Sequence, residues 1–328
     1  MYRNLFKKAS LISQCLFLLA WLSSCATVPI HPPVDSAIAY AVKDGNHLLS
    51  RHAPVFVIEK PSVPYNRIGT PSAIQDRVFV DPDKPTLYTR VLRSGSEADP
   101  YTHLFYRIHF EKVPVGIIPF YIGAGNNVGL IVIVSLNGNG VPVLYTTVHT
   151  CGCYLAFVPT TALPRSAYPE NWPLERQSVY SENLPGRLTL PEVFGNHFKT
   201  MILIRDGSHR VKDIWLADVG RMETYKTVAT VTANMETLKS LPLKPDGGTT
   251  SFYETAGPRT GYVKGSHKLF ERLFMSWWSF DWRVGEDKNL GRDKSEGPVF
   301  YTSLKPWYRD ASDMRDFPAF LKFWGWRL

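Results

Sequence analysis

Cysteine is scarce in this chain, four residues in 328, and the motifs that announce familiar chemistry are missing altogether. There is no G-x-S-x-G elbow, no H-E-x-x-H helix, no P-loop, no C-x-x-C and no C-x-x-C-H, which removes the usual signatures of serine hydrolases, zinc peptidases, NTPases, dithiol oxidoreductases and c-type haem proteins. Dense Lys/Arg runs are absent too, so the net charge of +8 does not form a nucleic-acid footprint. Three of those charges, Arg3, Lys7 and Lys8, sit in the first 24 residues, and removing them leaves +5. The longest apolar run, Leu11 to Leu22, falls short of the roughly 20 residues that span a bilayer.

What the chain has in quantity is proline and tyrosine, 25 and 16 residues. Proline interrupts helices and aromatic side chains suit sheet surfaces, so the composition points to strands, turns and loops. The expected fold is α+β, a mainly antiparallel β-sheet body with a helical, aromatic-rich C-terminal part.

The first 25 residues are an address. A basic start is followed by the apolar run LISQCLFLLAWL and small residues, the pattern of a secretory signal. Leu22-Ser23-Ser24-Cys25 resembles a lipobox, and the segment as a whole resembles a bacterial lipoprotein precursor. That resemblance implies cleavage before Cys25, loss of Cys15, and acylation of Cys25 by palmitate-type chains. Ala26 in place of Asp resembles lipoproteins passed to the outer membrane, so the expected location is its periplasmic face. Residues 1–24 are then the signal peptide, 25–36 the lipidated cysteine with a Pro-rich tether, and 37–328 a single β-rich domain whose one candidate boundary lies near 242–250.

Within that domain, Ala37 to Leu49 permits a short helix. His103 to Lys112 alternates as a strand, with His103, Phe105, Arg107 and His109 on one face and Leu104, Tyr106, Ile108 and Phe110 on the other. Leu130 to Leu136 is apolar at nearly every position, which predicts a strand covered on both faces. Asn137-Gly138-Asn139-Gly140 supplies the positive-φ residues of a hairpin return. Thr200 to Arg205 and Val211 to Val219, about Asp206-Gly207, read as a second hairpin. Short helices are expected at Asn234 to Leu241 and Ser266 to Phe280, the second burying a stripe of Leu269, Phe270, Leu273, Phe274 and Trp277.

The candidate chemistry is His149-Thr150-Cys151-Gly152-Cys153. On a straight strand His149, Cys151 and Cys153 share a face but stand about 6.5–7 Å apart, too far for one metal ion, so Gly152 must bend the chain. Three readings follow. One is a Zn or Cu site with His103 or His109 as fourth ligand. Another is a thiol site, redox-active or hydrolytic, with His103 or His109 as base and Asp206, Asp213 or Asp218 as orienting carboxylate. The third is structural packing. Asp281 and Glu286 are candidate polar partners of a cleft lined by Trp277, Trp278, Phe280 and Trp282. The Phe317 to Trp326 cluster suits either packing on the sheet or the membrane interface. Lone His31, His47, His52, His197, His209 and His267 carry little weight. The absence of enzyme motifs favours a non-enzymatic envelope protein, held to the membrane by its N-terminal lipid and binding a protein, glycan or lipid, with no nucleic-acid partner.

Overall fold

Alternation of inward and outward side chains along ten strands builds one large mixed sheet, curled so that its inner face encloses a core. The computed structural model describes residues 36–43, 47–192, 197–218, 220, 224–244 and 247–328. The signal peptide, Cys25, His31 and nearly all of the tether lie outside the described residues.

The strands are β1 (Ala37–Val42), β2 (Val55–Glu59), β3 (Thr70–Ile74), β4 (Arg77–Asp81), β5 (Thr86–Gly95), β6 (Pro100–Val113), β7 (Gly125–Leu136) and β8 (Pro142–His149). They continue with β9 (Ala156–Pro159), β10 (Arg176–Val179), β11 (Glu182–Pro185), β12 (Phe198–Ile204), β13 (Val211–Asp218), β14 (Lys226–Asn234), β15 (Leu241–Lys244) and β16 (Thr249–Thr250). Among the described residues the α-helices are α1 (Leu48–Arg51), α2 (Leu269–Ser279) and α3 (Phe317–Phe323).

The large sheet runs β13-β12-β2-β1-β14-β5-β6-β7-β8-β9. Its β5 to β9 half is wholly antiparallel, whereas β12–β2, β1–β14 and β14–β5 pair in parallel. The curl brings the two ends face to face across the interior, where Tyr145 on β8 and Thr200 on β12 share a 2.7 Å hydrogen bond. A four-stranded sheet, β16-β15-β3-β4, packs outside it, and it takes β15 and β16 from either side of the candidate boundary. Residues 33–328 form one compact unit, and every described residue of the three apolar clusters lies at or beyond Ala37.

The inner cluster draws Leu104, Tyr106, Ile108 and Phe110 from β6 and Leu130, Val132 and Val134 from β7. The opposite face of the same strands carries Phe105, Ile131 and Ile133 into a second cluster, capped by the C-terminal elements through Phe300, Phe317, Phe320 and Trp326. β7 is therefore buried on both faces, as its unbroken apolar run requires. Asn137 closes the β7–β8 turn by accepting from the Asn139 and Val141 amides through its side chain.

Ala37 to Val42 is a strand rather than the expected helix. Its period is two: Ala37 and Ala39 pack outward while Tyr40 packs inward. Two neighbours distant in sequence, β2 and β14, supply its ladder and override the helical preference of its alanines. The helix expected at Asn234 to Leu241 is a 3-10 turn, Met235–Lys239, whose first amides include Glu236 N–H bonded to the Asn234 side chain. Helix α2 forms where expected but faces the other way. Glu271 and Ser279 are its buried residues, and Leu269, Leu273, Phe274 and Trp277 stand in solvent. The C-terminal aromatics pack: Phe317, Phe320 and Trp326 are fully buried against the sheet.

Candidate functional site

Strand β8 ends at His149, and the next four residues fold back on it. The Gly152 amide donates to His149 O (2.8 Å) and the His149 amide to Cys153 O (2.9 Å), closing a tight loop. Gly152 sits at φ +91°, and a Cβ there would meet Tyr301 O at 2.1 Å. The bend that the sequence demanded of Gly152 is present, so the two cysteines leave the strand face. The Cys153 amide donates to Cys151 Sγ at 3.3 Å, and both thiols are free. Gly152→Ala should lose about 3 kcal/mol, summing a left-handed backbone penalty of about 1–2 with about 1–3 for forced displacement. A urea midpoint equal to that of the unsubstituted protein would refute this.

The loop is pinned by residues 285–288. Thr150 Oγ1 donates to Asp287, Lys288 N donates to Thr150 O (2.9 Å), and Lys288 Nζ donates to Cys151 O (2.8 Å). Lys268, at the start of α2, pairs with Asp287 at 3.3 Å and donates to Gly123 O at 3.0 Å. Burial opposes the Lys268 charge, but Asp287 and the neighbouring acidic groups outweigh it and hold the ammonium above its ordinary range.

Between this loop and the inner face of α2 lies a cavity of about 280 Å³, lined by Ile122, Cys151, Cys153, Tyr154, Tyr180, Glu271, Met275 and Tyr301 among others. Its walls are mainly aromatic rings, thioether and thiol. Glu271 is the exception. It is buried, its Oε2 has no hydrogen-bond partner, and burial pushes its carboxyl upward against the opposing pull of Lys268. Gly285 lies so close that only a residue without a Cβ fits beside that carboxyl. The Cys153 thiol is pushed well up, first by its hydrogen bond to Cys151 and then by burial, so it stays protonated.

His149 points into the curled interior, where its Nε2–H donates to His209 O at 2.9 Å. The ring meets Tyr154 edge-on at 4.7 Å, and burial lowers its pKa to about 4. His209, of little weight in the sequence, is buried and stacked on Phe110 at 4.0 Å.

His103 and His109 lie on the opposite face of the sheet. His103 is held between the Ser94 and Ser135 hydroxyls (2.7 and 2.8 Å) and meets Phe317. His109 accepts from Arg107 Nε (3.0 Å) and packs on Tyr88 and Phe252. Among the described residues no group of three or more His, Cys, Asp or Glu converges as a metal site would require. Alternation fixes the faces within β6 and within β8, but which of them coincide is set by pairing through β7, and that pairing turns His103 and His109 away from His149.

Of the carboxylates weighed as orienting groups, Asp206 binds Lys60 and Asn66, and Asp213 faces Arg176 at 3.8 Å. Asp281 accepts from Tyr301 OH, and Glu286 is buried among Arg259 and Arg272. The residues that sequence reasoning missed are Glu271, Lys268, Asp287 and Lys288. One signal was available, since Glu271 falls two residues from Leu269 and two from Leu273 and so lies off the apolar stripe of α2. No protein-family model matches this chain, and neither a curated protein nor a solved structure matches it.

Proposed function

We propose that this chain is a lipid-anchored lipoprotein of the outer membrane, facing the periplasm, whose body is a non-enzymatic binding protein. Its ligand is a small apolar molecule with one hydrogen-bonding group, taken into the cavity beneath α2. The observation that carries the binding reading is the mainly apolar cavity itself, with Glu271 in its lining and the Oε2 of that residue buried without a partner. Leaving such an atom unpaired costs about 1–3 kcal/mol, which a ligand donor or acceptor would recover. At about 30 Å³ per water the cavity holds roughly nine water-sized units, the bulk of a medium-chain alcohol or amide. The leader pattern of Met1 to Cys25 supports the anchor.

Titration with octanol and octanamide, read by calorimetry, tests the binding. Saturable one-site binding is expected, lost in a cavity-filling Met275→Trp variant and weakened roughly tenfold or more in Glu271→Leu, which removes the polar group. Equal heats from all three proteins would refute it. The anchor is tested separately by palmitate labelling in cells: Cys25→Ser should abolish it, and persistent labelling would defeat that part of the proposal.

A second reading rests on the contact between Cys151 and Cys153. Two adjacent thiols in one cavity suit a reversible dithiol–disulfide couple, losing two protons and two electrons to an oxidant of the disulfide or quinone class. Intact mass and thiol alkylation after oxidised glutathione would show a loss of two hydrogens if the couple exists. Two alkylatable thiols under every poise would remove it.

A further inference from the structure

We infer that the outer face of α2 and the loop from Val115 to Phe120 form a second membrane contact, inserted into the headgroup region of a bilayer.

The helix is built inside out for a soluble protein. Leu269, Leu273, Phe274 and Trp277 are 55–74% exposed, while the acidic residue Glu271 is buried. Phe280 and Trp282 follow immediately and are 77% and 67% exposed. The loop beside it carries Ile117 and Ile118 at 90% and 94% exposure, and no residue from Val113 to Ala124 is charged. Phe120 joins the two, meeting Phe270 at 5.0 Å and Phe274 at 6.5 Å, so loop and helix are one surface. Scattered exposed apolar residues need no explanation, but a contiguous set of this kind marks an interaction site.

The occupant follows from shape and chemistry. Protein hot spots are pockets filled by anchors. Here the most exposed residues, Ile117 and Ile118, instead form the tip of a projecting loop. Tryptophan and phenylalanine beside arginine are the composition of helices that lie in the membrane interface. Arg272 stacks on Trp282 at 5.3 Å, and Arg309 donates to Phe280 O at 3.4 Å. Arg283 and Arg309 enter no ion pair among the described residues; Arg283 lies over the Tyr262 ring at 5.9 Å and Arg309 over Tyr301 at 5.0 Å. The inference rests in part on the anchored reading: twelve residues from Cys25 to Ala37 reach at most about 40 Å, which confines the body near the lipid. The acyl chains on Cys25 already hold the protein, and the tether then keeps the patch at high effective concentration beside the bilayer, so even a weak contact is engaged.

The test removes the anchor. A chain beginning at Ala26 keeps every described core residue and carries no lipid. Cosedimentation with phosphatidylethanolamine vesicles containing phosphatidylglycerol should show binding, with quenching of tryptophan emission by brominated lipid. Ile117→Ser with Ile118→Ser, or Phe274→Ser with Trp277→Ser, should lower the partition coefficient at least about tenfold with an unchanged urea midpoint. No sedimentation, or sedimentation indifferent to both double variants, overturns the inference. A concentration-dependent dimer that the same substitutions dissolve overturns it as well, because a second copy would then be the occupant. Failure of the Cys25→Ser labelling experiment leaves this outcome untouched, so the two readings fall separately.

Discussion

Between pH 7 and pH 5 the folded protein is expected to lose at least about 5 kcal/mol of stability. His103 and His149 have pKa values lowered to about 4 and His209 to about 3, in each case first by burial. In the unfolded chain each titrates near 6.5. The unfolded state therefore binds more protons throughout the window from 6.5 down to about 4, so stability falls as pH falls through it and levels off below. Each histidine contributes roughly 2 kcal/mol by pH 5, against a total of about 5–15 for a domain. Burial also lowers His52, to about 4, and His109, so urea midpoints at pH 7, 6 and 5 should decline steadily, and His103→Gln, neutral throughout, should flatten the decline by about a fifth. A midpoint that stays constant from pH 7 to pH 5 would show that these imidazoles protonate without unfolding.

Truncating the C-terminal aromatic cluster should be the most damaging change to the fold. Trp326 is buried among Phe157, Tyr168 and Trp172, with ring centroids 4.8–5.6 Å away. Phe317 meets both His103 and Phe105. Trp326→Ala should cost about 3–5 kcal/mol, from lost transfer energy and the cavity left behind. A chain ending at Asp316 loses Phe317, Phe320, Leu321 and Trp326 together, a sum beyond ordinary domain stability, and should not fold. Calorimetry of the single variant and circular dichroism of the truncated chain would check this. A cooperative transition in the chain ending at Asp316 would mean that the segment packs on the sheet without supporting it.

The parts of this fold that were readable in the sequence are those decided locally. The β7–β8 hairpin announced itself through an apolar run and Asn-Gly turn residues, and the two faces of β6 through strict alternation. The β12–β13 hairpin followed from Asp206-Gly207. What resisted reading was decided elsewhere. The strand state of Ala37 to Val42 depends on β14, and the orientation of α2 depends on what its apolar stripe meets. Periodicity states that a helix has an apolar side, but not whether the core or the exterior lies against it. The candidate site divides the same way. Cys151, Gly152 and Cys153 stood out by composition, and the glycine's role followed from strand geometry. Glu271, which gives the cavity its polar character, comes from a helix more than a hundred residues later and had no local mark except its place off the stripe.

The parallel pairing of β1 with β14 has a consequence for how the chain is made. Ile38 lies opposite Lys226, and β14 in turn joins β1 to β5. Until residue 234 has emerged, β1 and β5 are separate open edges, and the large sheet exists only as two unjoined halves. The β5 to β9 meander is assembled from neighbours and closes early, while the other half waits for a strand nearly two hundred residues downstream. Contacts of such long sequence separation slow folding, because the loop must be ordered before any of its ladder bonds form. During that interval two unpaired edges and the future interior are open to other chains, the condition under which aggregation competes with folding. Synthesis of the central strand is thus the step at which this protein commits to its native sheet.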